Sequence, residues 1–86
     1  MENKIKELIG AMQKLKGEDA EISISHKLYG DQKIRCKFSP VITNEYIGFH
    51  AKEHDKYIYR NEIKNIELGH NIFFSDDVME IMIKIK

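Results

Sequence analysis

Fourteen lysines and arginines balance fourteen aspartates and glutamates in a chain of 86 residues, so there is no long-range pull on nucleic acid or an anionic membrane, and any polyanion binding must be local. A chain this short builds one core, which bounds it to a single domain over residues 1–86, with a helix in residues 1–17 and a β-rich body in residues 20–86. The single cysteine excludes an internal disulfide. With no apolar core in the opening MENKIKEL and no apolar run near the roughly 20 residues that span a bilayer, the expectation is a cytoplasmic protein without membrane contact.

Ile5, Leu8, Ile9, Met12 and Leu15 recur at three- and four-residue spacing, which predicts a helix with one apolar stripe. Asn3 suits its cap, Glu2 its positive end, Lys14 and Lys16 its negative end, and Gly17 its exit. Gly10 costs such a helix about 1 kcal/mol relative to alanine, so the stripe must be buried to hold it.

From Ala20 the period becomes two. Ala20, Ile22, Ile24, His26 and Leu28 share one face, and Glu21, Ser23, Ser25 and Lys27 the other. After the turn signal YGDQ, Ile34, Cys36 and Phe38 alternate with Lys33, Arg35 and Lys37, and Pro40 ends this second strand. The apolar faces coincide if paired positions sum to an even number. A loop at residues 30–32 satisfies this and sets Leu28 opposite Ile34, His26 opposite Cys36, Lys27 opposite Arg35 and Tyr29 opposite Lys33. Lys27 facing Arg35 is a like-charge conflict, relieved by a nearby acid or kept for an anion.

Ile47, Phe49 and Ala51 alternate with Tyr46, Gly48 and His50, and the run KEHDK turns the chain back into Tyr57, Ile58 and Tyr59. The chain bends at Asn61 and Glu62 into a strand with Ile63, Ile66 and Leu68. Ile72, Phe73 and Phe74 suit a strand or an apolar plug, residues 75–77 a turn, and Met79, Ile81, Ile83 and Ile85 a long last strand. The expected class is therefore α+β: an N-terminal helix and five or six antiparallel strands, forming a strongly bent sheet or small barrel.

A helix, a hairpin with a glycine turn, an apolar third strand and then YIYRNEIKNIEL resemble the Sm-like small barrel, in particular its bacterial Hfq branch. The family's second motif is matched in part by Tyr59, Arg60, Asn61, Glu62 and Ile63, with Asn61 in place of a histidine. This resemblance implies RNA binding and rings built by pairing strand edges between subunits. ITNEYIGF followed by IYRNEIKNIEL is also similar to bacterial PH-like and GRAM domains, which close on a helix where this chain has a strand pattern.

Lys27, Lys33, Arg35 and Lys37 with Tyr29 would gather charge beside a stacking surface, and Tyr57, Tyr59 and Arg60 would form a second such patch. Stacking with phosphate neutralisation is what single-stranded RNA requires. A solvated charged face is the plainer account of the same residues. His26 beside Cys36, joined by His70, would suit a thiolate or a zinc site, against which stands simple core packing. His50, Glu53, His54 and Asp55 read as a solvated tip, and Asp76 and Asp77 as turn formers. No catalytic fingerprint, phosphate loop or complete metal-ligand set is present. The expectation is a non-catalytic binding module without cofactor or metal, whose partner is RNA, another protein, or itself as a homo-oligomer.

Overall fold

The expected helix forms as α1 (Glu2–Lys14) in a computed structural model of the chain, which describes residues 2–52 and 55–85. Ile5, Leu8 and Met12 are buried, with Ile9 packed beside them, as the helical repeat requires. Gly17 leaves the helix region at φ 86°, a conformation that costs glycine nothing. Its N–H donates to the Phe38 carbonyl at 2.8 Å, which ties the end of the helix to the β body.

Eight strands stand among the described residues: β1 (Asp19–His26), β2 (Gly30–Lys37), β3 (Pro40–Ile42), β4 (Tyr46–His50), β5 (Asp55–Tyr59), β6 (Asn65–Leu68), β7 (Ile72–Ser75) and β8 (Met79–Ile85). A 3-10 turn (Arg60–Glu62) makes the bend between β5 and β6. This exceeds the expected five or six. The additions are short: β3 opens on Pro40, tolerated as the first residue of an edge strand, and residues 72–75 are strand, not plug.

The α+β class is observed, and the strands do not close into a barrel. They form an antiparallel five-stranded sheet in the order β2-β1-β8-β7-β6 and a separate three-stranded sheet β3-β4-β5. α1 packs on β3, β6 and β7, so it bridges both sheets. Leu8 and Met12 of the helix, Ile22, Phe74, Ile81 and Ile83 of the large sheet, and Ile47, Phe49 and Ile58 of the small one belong to a single core. The helix stripe thus fills the space that barrel closure would have had to remove.

The last strand is central, paired with β1 on one side and β7 on the other. Its start is fixed by Asp76, whose carboxylate accepts from the N–H of Val78 at 2.8 Å and of Met79 at 2.7 Å, the turn-forming use expected of that aspartate.

The first hairpin keeps the expected parity but not the expected register. Ile22 lies opposite Ile34, Ala20 opposite Cys36 and His26 opposite Gly30, so the loop is residues 27–29 and residues 30–32 are strand. His26 explains the tip: its Nδ1 accepts from the N–H of Leu28 at 3.0 Å and Tyr29 at 3.3 Å, and its ring lies 4.6 Å from that of Tyr29. Gly30, at φ 80°, closes the turn. Charge favours the same register, because Arg35 now faces Glu21 and Lys37 faces Asp19, where the expected pairing set Lys27 against Arg35.

Candidate functional site

Lys33, Arg35 and Lys37 share the outward face of β2, as the two-residue period requires. Arg35 Nε donates to Glu21 Oε2 at 3.1 Å while its side chain stays 73% exposed. Lys37 Nζ donates to Asp19 Oδ1 at 2.8 Å, and this bond, with the charge of Asp19, holds the Lys37 ammonium above the usual lysine range. Lys33 faces Ser23 and has no ion pair among the described residues.

Lys27 and Tyr29 do not join that face. Both lie in the hairpin turn beyond the sheet, where Leu28 is 80% and Tyr29 84% exposed. The cause is the shift in register: the loop consumes the residues that sequence reasoning had placed opposite Arg35 and Lys33.

The cations that do converge are partly unexpected. A cleft of about 350 Å³ runs between the outer edge of β2 and the β4–β5 hairpin, lined by Gln32, Lys33, Ile34, Arg35, Ala51, Lys52 and Lys56. Four of these seven side chains are cationic and none is acidic, which gives the cleft an excess of positive charge, offset at Arg35 by Glu21, on a chain of zero net charge. Lys52 and Lys56 were missed because they flank a mixed-charge turn, KEHDK, whose composition signals only solvation. Folding brings that turn to the β2 edge, a long-range placement with no trace in local sequence.

The edge itself is open. β2 ends the five-stranded sheet, and among the described residues its backbone pairs only with β1. Alternate N–H and C=O groups along it therefore point away from β1, towards the cleft side.

Tyr57 and Tyr59 do come together, on the outer face of the small sheet and with Tyr46, but on a different sheet from the β2 cations. Tyr46 stacks on Tyr57 at 4.3 Å, and both meet Tyr59 edge-on, at 6.1 and 5.5 Å. Gly48 makes this possible: a Cβ there would lie 1.9 Å from the Lys56 carbonyl oxygen and 2.6 Å from Tyr57 Cα. The absent side chain lets β5 approach and Tyr57 cover the gap. Hydrogen bonding with Tyr57, its charge, burial, and the charges of Glu45 and Glu62 together raise the Tyr59 phenol above the usual range. Carboxylates near stacked rings repel phosphate.

Arg60 sits in the 3-10 turn, where its N–H donates to the Glu45 carbonyl at 2.8 Å. Its Nε is buried with no hydrogen-bond partner among the described residues. The side chain lines a hollow of about 310 Å³ with Asn44, Glu45, Tyr59 and Asn61.

The expected juxtaposition of His26 and Cys36 is overturned. Cys36 pairs with Ala20, six residues along β1 from His26, a separation of roughly 20 Å at strand rise. The Cys36 thiol is half-buried, and burial raises its pKa, which disfavours the thiolate. His70 is exposed in the turn between β6 and β7. His50 Nδ1 contacts Asp55 Oδ1, while the expectation for Glu53 and His54 falls outside the described residues. No three His, Cys, Asp or Glu side chains gather within metal-binding range among the described residues.

Compared with protein-family models, curated proteins and solved structures, the chain finds no match. The Sm-like and PH-like resemblances therefore rest on residue pattern alone. No described helix is long and apolar enough to cross a membrane.

Proposed function

We propose that this protein is a binding module, not an enzyme, and that it takes an anionic partner in the cleft between β2 and the β4–β5 hairpin. The supporting observation is the lining: Lys33, Arg35, Lys52 and Lys56 converge on one concavity beside an open strand edge. Positive charges held in a cleft attract an anion through short-range Coulomb contacts, so a chain of zero net charge can still bind one locally. The described lining is dominated by lysine and arginine, whose chemistry suits holding an anion.

An RNA track would need a base-stacking ring beside the β2 cations, and Tyr29, expected there, lies in the hairpin turn. The cations lie at the β2 edge, whereas Tyr46, Tyr57 and Tyr59 stack on one another on the other sheet beside Glu45 and Glu62. Separate phosphate and base platforms do not make the continuous track that single strands follow.

The test is titration of the protein with poly-L-glutamate at low salt, where charge contacts are strongest. Binding should be weakened about tenfold or more in K33Q/R35Q/K52Q/K56Q, by loss of several charge contacts. It should be nearly unchanged in K4Q/K6Q/K14Q/K16Q, which removes as much charge from the helix region. Equal losses in both variants, or no binding by the native chain, would refute the assignment.

A further inference from the structure

Resting on the reading of the cleft as an anion site, we propose that its occupant is an extended acidic segment of another protein, added to the outer edge of β2 as a sixth strand. The open edge supplies the backbone half of the recognition. β2 runs for eight residues, roughly 26 Å of strand, with exposure along most of its length. An added strand satisfies the outward N–H and C=O groups, which have no backbone partner among the described residues.

The side chains supply the rest, and they specify a pattern. Lys33 and Arg35 stand two residues apart on the outward face, so a paired strand meets them with carboxylates at alternate positions. Between them Ile34, which is half-buried, points to the other face, and Ala51 lines the same cleft. The intervening residues of the partner therefore face an apolar strip. The fitting sequence alternates acidic and aliphatic residues, with further carboxylates reached by Lys52 and Lys56.

Two other occupants fit less well. A second copy pairing its own β2 antiparallel about Arg35 would set Arg35 against Arg35 and Lys33 against Lys37, and about Ile34 it would set Lys33 against Arg35, the like-charge arrangement by which edge strands resist self-association. RNA would satisfy the cations but not the row of backbone donors and acceptors, and no aromatic ring lines the cleft.

The probe is a fluorescent peptide of about ten residues alternating Glu and Val, long enough to cover β2. Three comparisons accompany it: the same composition with all Glu in one block, and two versions N-methylated on the odd or the even amides. The alternating peptide should bind about tenfold more tightly than the block peptide, because only it matches the two-residue period. One methylated version should bind nearly as well and the other about tenfold or more weakly, since only one set of amides donates to β2. The double reversal K33E/R35E should lose the Glu-Val peptide and gain a Lys-Val peptide, a swap that also shows the variant is folded.

Equal binding of both methylated versions would overturn strand addition while leaving the anion reading intact. Displacement of the peptide by a tighter-binding single-stranded RNA would assign the cleft to nucleic acid and overturn the proposal in another way. Failure of every acidic probe, poly-L-glutamate included, would remove the anion reading itself.

Discussion

The outer edge of β2 and the tyrosine face of the small sheet look alike in sequence, each a short strand of alternating basic or aromatic residues, and fold to opposite conditions. The tyrosines are engaged with one another and with the bare backbone at Gly48. The β2 edge keeps backbone that is unpaired among the described residues, beside a cleft lined by Lys33, Arg35, Lys52 and Lys56. Residue type alone does not mark a binding surface; what matters is whether the fold has already satisfied those groups.

Gly48 is where the packing of the tyrosine face is most exposed to change. In G48A the new Cβ meets β5 backbone that cannot move independently, so we expect a loss of about 3 kcal/mol or more in urea denaturation, at the upper end of overpacking costs. Native-like stability in G48A would mean that the close approach of β5 is not required. Truncating the stack in Y57A should cost about 2 kcal/mol through two lost ring contacts, without altering poly-L-glutamate affinity. A parallel fall in affinity would show that the tyrosine face takes part in binding after all.

The cleft variants should show the reverse behaviour. K33Q/R35Q/K52Q/K56Q should weaken binding about tenfold or more while shifting stability by less than about 1 kcal/mol, as exposed charges and their ion pairs contribute little. A smaller effect sharpens the picture: E21Q releases Arg35 from its carboxylate partner and should raise affinity for acidic polymers roughly threefold, the scale of an exposed ion pair. Isothermal calorimetry would measure it, and unchanged affinity in E21Q would place the Arg35 guanidinium outside the site.

The smallest effect concerns Cys36, whose folded pKa is raised by burial. The native state holds the thiol proton more tightly than the unfolded chain, so the associated stability is present below the unfolded thiol pKa and fades as pH rises through the folded one. At pH near 8 its reaction with a disulfide reagent should be slower than that of a free thiol and recover in urea. Reaction at the free-thiol rate in the folded protein would contradict the burial seen here.

Much of the fold was legible, because periodicity and turn chemistry are local. The helical stripe of Ile5, Leu8 and Met12, the exit at Gly17, the second hairpin about residues 52–56, the bend after Tyr59 and the long last strand all follow from residue spacing. The first register was not. Parity left several pairings open, and the deciding contacts were a histidine side chain capping residues 28 and 29 and two cross-strand ion pairs. The predicted conflict of Lys27 with Arg35 was itself a sign that another register served the charges better.

The site was legible in part, for a related reason. Lys33 and Arg35 were recognisable from alternation, which local sequence controls. Lys52 and Lys56 were not, since only the folding of one hairpin against the edge of another sheet brings them near. The register of the first hairpin, not a long-range step, separated His26 from Cys36 and took Lys27 and Tyr29 out of the basic face.

The most direct measurement is a nuclear magnetic resonance titration of isotope-labelled protein with the alternating Glu-Val peptide, followed at each backbone amide. The account predicts that the amides of Gln32, Lys33, Ile34, Arg35, Ala51, Lys52 and Lys56 shift together, alternate β2 amides become protected from exchange, and Tyr46, Tyr57 and Tyr59 stay still. Shifts centred on the three tyrosines, or none along β2, would contradict it.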